Sequence, residues 1–150
     1  MAVIHSIKDR PDVELFQEIG LIDQLVRSRI EHALPQGLSY AQFGILNHLS
    51  GHDEPMSPAQ LAAALHLTKG AVTNLLQKLE AQGLIAITTD PDDGRRKWVS
   101  LSDCGRAEHH QCLKRLRPLT EEMRAAIAED GFKATLPFLK QLRLWLDQNR

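Results

Sequence analysis

Very little in this chain of 150 residues points to chemistry of its own. Aromatic residues make up only 5% of it, with a single tyrosine and four phenylalanines. The two cysteines, Cys104 and Cys112, form no C-x-x-C pair and no disulfide framework. That usage suits a reduced, cytoplasmic setting. No apolar run is long enough to cross a bilayer, so no membrane partner is expected. Met1–Arg10 lacks the apolar core of a secretory signal and reads as a loose arm. There is no G-x-S-x-G, no phosphate-binding glycine loop and no metal triad. We therefore expect no enzyme, no cofactor and no metal site. An excess of one charge is missing too: 18 Lys+Arg against 19 Asp+Glu leave a formal net charge of -1. A nucleic-acid surface on such a chain has to be a local patch.

What is present is periodicity. From Asp12 to Leu34 the residues Leu15, Ile19, Ile22, Val26 and Ile30 recur at helical spacing, and Pro35 and Gly37 stop the run. Ser39-Tyr40-Ala41-Gln42 fits a capping box ahead of a helix carrying Phe43, Leu46 and Leu49. Ser57-Pro58-Ala59-Gln60 is a second one, with proline at the first helical position, ahead of Leu61, Ala64 and Leu65. Thr68 caps a third helix, with an inner stripe of Val72, Leu75, Leu76 and Leu79 and a stop at Gly83. The period then changes to two. Ile85 and Ile87 alternate with Ala86 and Thr88, and Val99 and Leu101 with Trp98 and Ser100. Between them lies the turn-forming Asp90-Pro91-Asp92-Asp93-Gly94-Arg95, with Gly94 expected to supply a positive φ. From Ser102 a long helix carries Leu113, Leu116, Thr120, Met123 and Ile127 until Gly131. A last helix carries Phe132, Leu136, Leu139, Leu142 and Leu146, with Phe138 and Trp145 on a neighbouring face and a bend at Pro137.

The fold class is thus mainly α with a small β-hairpin wing: a winged helix-turn-helix flanked by dimerisation helices. Residues 1–36 form the arm and a dimerisation helix, 37–101 the DNA-binding region, and 102–150 the C-terminal dimerisation helices. A final helix apolar on two faces needs a second subunit, so a homodimer is expected. The second helix of the motif can lie in a major groove, where each base pair shows a distinct pattern of donors and acceptors. Its outward residues are Lys69, Gly70, Thr73, Asn74, Gln77 and Lys78. The lysines suit phosphates, and Thr73, Asn74 and Gln77 suit base edges. Gly70 lets the backbone approach DNA closely. Arg95, Arg96 and Lys97 cluster on the wing, where arginine suits a narrow minor groove. Asp93 is expected to pair with the Arg95 guanidinium. Trp98 is expected to pack on the wing rather than stack on DNA.

Here a resemblance enters. Leu67-Thr68-Lys69-Gly70-Ala71-Val72-Thr73, running on to Leu79-Glu80-Ala81-Gln82-Gly83-Leu84-Ile85, resembles the recognition helix of the MarR family. Asp90-Pro91-Asp92-Asp93-Gly94-Arg95-Arg96, with Val99-Ser100-Leu101-Ser102 and Gly105, resembles its wing, including the D-x-R signature. The resemblance implies a homodimeric repressor on a palindromic duplex operator, with a small-molecule effector held between the dimerisation helices and the winged region. Phe16, Phe43, Asn47 and His109 are the candidate lining residues. The chain departs from the family at Ala86 and Asn74, where arginine is common, and each departure removes a positive charge.

Two alternatives remain. One is a zinc- or oxidant-sensing regulator of the same fold. His109 and His110 point about a hundred degrees apart on a helix and cannot easily share a metal, although His109 with Cys112 has workable spacing. The other is a winged-helix module that binds protein, against which Lys69, Lys78 and the arginine cluster argue.

Overall fold

The computed structural model describes residues 10–150, so the expected arm lies outside the described residues except for Arg10. Six helices and two strands follow in order: α1 (Pro11–Ala33), α2 (Tyr40–Ser50), α3 (Pro58–Leu65), α4 (Lys69–Ala81), β1 (Ile85–Thr89), β2 (Lys97–Leu101), α5 (Asp103–Ala126) and α6 (Glu129–Gln148). No described helix is long and apolar enough to cross a membrane. The chain divides into two compact units, one ending at Arg115 and one spanning Leu116–Arg150.

Local chemistry sets most of the boundaries. α1 opens on Pro11, whose missing N–H costs nothing there, with Asp12 and Glu14 beside the positive end of the helix dipole. It closes because Pro35 forces Leu34 into an extended conformation, and Gly37 follows at φ 86°. Both capping boxes form: Ser39 with Gln42, and Ser57 with Gln60. The Gln42 side chain, buried, also donates to Gln82, whose own amide donates to the Gly37 carbonyl. A polar chain thus ties the start of α2 to the end of α4.

The core of the first unit gathers Ile45 and Leu46 from α2, Leu61 from α3, Val72 and Leu79 from α4, Val99 from β2 and Cys112 from α5, all at 0% exposure. The strands pair antiparallel from Ile85↔Leu101 to Thr89↔Lys97. Ile85, Val99 and Leu101 are buried on the inner face, while Trp98 and Ser100 stand half-buried on the other. Met56, just before α3, adds a third partner, exchanging hydrogen bonds of 3.0 and 2.8 Å with Val99. At the hairpin base, Ser102 Oγ donates to the Gly83 carbonyl and accepts from the Gly105 N–H, capping α5. A side chain at Gly105 would collide with the Leu84 carbonyl, so the crossing demands glycine.

The long helix does not end at Gly131. It ends at Ala126, and Gly131 is the third residue of α6. One glycine in a helix costs about 1 kcal/mol relative to alanine, which is too little to stop it. The break falls at Ile127 and Ala128, the latter extended at ψ 137°. Glu129 and Asp130 then complement the dipole of the new helix. α6 continues through Pro137, where the Lys133 carbonyl loses its i+4 donor.

Candidate nucleic-acid interface

α3 and α4 are joined by a tight turn in which His66 adopts a left-handed conformation, φ 53° and ψ 40°. Thr68 Oγ1 accepts the Ala71 N–H at 3.1 Å and starts α4 cleanly. Val72, Leu76 and Leu79 then face inward and are buried. The opposite row of Lys69, Gly70, Thr73, Asn74, Gln77 and Lys78 is exposed throughout. The helix therefore presents two positive ends flanking a stretch of hydrogen-bonding side chains. Thr73 Oγ1 donates its proton to the Lys69 carbonyl at 2.9 Å, which leaves its lone pairs to accept from a base. Nothing lies within 4 Å of a Cβ built at Gly70. Packing does not require that glycine; its effect is a low, flat strip on the outer face.

The wing differs from expectation in two details. Asp93 does not pair with the Arg95 guanidinium. Its carboxylate accepts the Arg95 backbone N–H at 3.0 Å, and its carbonyl accepts the Arg96 N–H at 3.0 Å. A short acidic side chain caps its own turn more readily than it reaches a long flexible neighbour. Nor does Gly94 take a positive φ: the turn closes without one, and among the described residues the left-handed positions are Gly37, His66 and Gly83. Arg95 and Arg96 stand exposed at the tip. The Arg96 guanidinium lies over the Trp98 ring, 5.5 Å from its centre. The Trp98 indole N–H donates to Asp90 Oδ2 at 3.1 Å. The Asp92 backbone N–H, and then this indole N–H, hold the Asp90 carboxyl below its ordinary range.

The helix, turn, helix and hairpin agree with the comparisons. Residues 36–96 match the family model for the MarR family. Over 116 residues, 75% of this chain and 70% of the relative, it is 32% identical to the uncharacterized HTH-type transcriptional regulator YcgE of Bacillus subtilis. The chain belongs to the MarR family. It is thus a helix-turn-helix transcriptional regulator, DNA-binding and not an enzyme. It is also 31% identical to the HTH-type transcriptional repressor YetL of the same organism, over 107 residues covering 70% of this chain and 64% of that protein. Its fold matches that of a MarR variant from E. coli in complex with operator DNA, with a TM-score of 0.80 and 23% identity over 92% of this chain and 99% of that one.

Of the four residues expected around an effector, three come together in this MarR-family chain. His109 of α5 stacks on Phe43 of α2, ring centres 6.1 Å apart, and its Nε2 lies 3.0 Å from Asn47 Oδ1. Burial, and then His110, lower the His109 pKa. Phe16 stands on α1 at 49% exposure. A cavity of about 270 Å³ lies elsewhere, between the end of α5 and the start of α6, lined by Glu121, Arg124, Ile127 and Phe132 among others. Cys112 is buried, and burial pushes its thiol pKa up, so it stays protonated; Cys104 is exposed. Among the described residues no three His, Cys, Asp or Glu side chains are placed to share a metal.

Sequence reasoning missed Asp90 as the partner of the Trp98 indole and Met56 as a strand partner. Asp90 and Trp98 are eight residues apart, and only a closed hairpin brings them together.

Proposed function

We propose that this chain is a homodimeric, sequence-specific repressor of a palindromic duplex operator, acting in the cytoplasm. The observation that carries the reading is the two-sided α4: a buried row of Val72, Leu76 and Leu79 backs an exposed row running from Lys69 to Lys78. That second row enters the major groove. Thr73, Asn74 and Gln77 meet base edges, Lys69 and Lys78 meet phosphates, and Gly70 permits close approach. Arg95 at the wing tip reaches the minor groove, Arg96 adds positive potential, and Asp93 orders the turn that presents both.

Dimerisation is supported by the apolar faces that α1 and α6 leave exposed, including Leu25 at 64% and Trp145 at 59%. A two-fold dimer sets its recognition helices roughly 34–36 Å apart, on successive major grooves. Repression follows from occupying such a site against polymerase, and the similarity to YetL, named a repressor, supports it. The Phe43, Asn47 and His109 cluster, with Phe16, is the proposed effector site. A ligand there acts by favouring a dimer whose helix spacing misfits the operator.

The test is selection of bound sequences from a random duplex pool, followed by titration of the selected operator at fixed salt. A palindrome should emerge. Arg95→Ala should cost about 1–3 kcal/mol per wing while the protein stays folded and dimeric. Lys78→Ala should weaken all duplexes evenly and flatten the salt dependence. Enrichment of no sequence, or an Arg95→Ala affinity within about twofold of the native protein, overturns the reading.

A further inference from the structure

Two arginines stand side by side at the wing tip, and the structure treats them differently. Arg95 is exposed, and its guanidinium has no partner among the described residues; only its backbone N–H is engaged, by Asp93. Arg96 lies over the Trp98 ring. The reason is position in the hairpin. Arg96 directly precedes β2, two residues before Trp98 and on the same face, whereas Arg95 sits within the turn that the Arg96 N–H closes on the Asp93 carbonyl. Asp90 fixes both halves of the stack. Its Oδ2 accepts the Trp98 indole N–H and sets the plane of the ring. Its backbone N–H donates to the Arg96 carbonyl at 2.9 Å and sets the chain above it.

We propose that Trp98 is a positioning residue of the DNA interface: by holding Arg96 on the wing, it leaves Arg95 as the one guanidinium each wing offers to the minor groove. The inference rests on the DNA-binding reading above and deepens it. A guanidinium on an indole face is attracted by the ring and must leave it to enter a groove. Two free neighbouring arginines would both seek phosphates, which adds affinity for any duplex. Holding one back lowers that sequence-independent affinity and so widens the gap between operator and non-operator DNA. Asp90 acts one step further out, through the ring.

Salt-controlled titration of the dimer with operator and with a scrambled duplex tests this. Arg95→Ala should cost about tenfold or more per wing. Arg96→Ala, which removes positive potential but no groove contact, should cost operator affinity several-fold less than Arg95→Ala. Trp98→Leu, which frees Arg96, should steepen the salt slope by about 0.9 per wing and raise affinity for the scrambled duplex. Adding Arg96→Ala to Trp98→Leu should return the slope to its native value. Trp98→Phe keeps an aromatic face and should keep the native slope, a rescue that a merely structural role for the indole does not predict. A readout without DNA checks the contact itself. In a Trp145→Phe background, where Trp98 is the sole tryptophan, Arg96→Ala should increase acrylamide quenching and Arg95→Ala should not. An unchanged salt slope in folded Trp98→Leu, equal costs for the two arginine variants, or equal quenching overturns the proposal. Failure of the native protein to prefer any duplex overturns the DNA-binding reading instead.

Discussion

The winged block and the terminal helices use the same apolar residue types to opposite ends. Between Leu38 and Leu101 the leucines, isoleucines and valines meet one another across α2, α3, α4 and the hairpin, and Ile45, Leu46, Leu61, Val72, Leu79 and Val99 are fully buried. α1 and α6 contain no buried residue. On α1, Leu21, Ile22 and Leu25 are more than half exposed; on α6, Phe138 and Trp145 are too. A leucine side chain stabilises only when something covers it, by about 1.5–3 kcal/mol on full burial. The block therefore has a core that a single chain completes. The terminal helices carry apolar faces whose stabilisation waits on another surface, which we assign to the second subunit.

The largest effect should come from attacking those faces. Leu25→Glu with Trp145→Glu should yield monomers by light scattering and lower operator affinity by about 10²–10⁴, because the two half-sites are no longer linked. The winged block should stay folded. A dimer that survives both charges breaks the comparison, since the exposed faces would then serve something else.

Next in size is the core. Leu79→Ala should cost about 2–5 kcal/mol in urea unfolding, the range for removing a fully buried leucine side chain. The same change at exposed Leu21 of α1, measured on the monomeric variant background, should cost far less. Similar costs would mean that the block is not the stable part.

Two glycines sharpen the contrast within the block. Gly105→Ala forces a Cβ against the Leu84 carbonyl and the Leu101 side chain, and should destabilise by about 1–3 kcal/mol. Gly70→Ala meets open space. It should stabilise the free protein by about 0.5–1 kcal/mol, as alanine does in a helix interior, yet weaken operator binding by placing a methyl between helix and DNA. Gly70→Ala that binds operator as well as the native protein would mean that close approach is not what that glycine provides.

The smallest effect is a pH dependence from two histidines, His48 in the block and His109 on α5. His48 Nε2 is buried without a hydrogen-bond partner among the described residues, and burial, then His52, lower its pKa. His109 is lowered by burial and then by His110. For both, the unfolded chain takes up the proton more readily than the folded one. Their stability is present in full above the ordinary value of 6.5 and is lost as the pH falls through it towards the lower folded value. Urea midpoints should therefore fall between about pH 7.5 and pH 5, and less steeply in His48→Leu. An equal slope in that variant removes His48 from the account.

Features built within a few residues were legible beforehand. Both capping boxes join positions three apart, the stripe of α4 repeats every turn, and the D-x-R wing is a contiguous string. Features that need the chain to return on itself were not. The Gln42–Gln82 hydrogen bond spans 40 residues, and Trp98 finds Asp90 only once the hairpin closes. Turn chemistry misled in two places. Gly94 promised a left-handed residue in the wing turn, which closes without one, while His66 at the end of α3 adopts that conformation with no glycine to mark it. Gly131 promised a helix end that falls at Ala128, because one glycine is a weak breaker and the acidic pair at 129 and 130 is a good start.

By itself, then, the sequence determined where helices and strands lie, which face of each is apolar, and which polar residues line the outer side of α4. Those follow from spacing and local hydrogen bonding, which each segment carries within itself. The tertiary structure alone decided which apolar faces are covered, that Gln42 meets Gln82, and that Asp90 holds the indole on which Arg96 lies. Each of these depends on what distant chain brings alongside a residue, and no residue carries its neighbours in its own spacing.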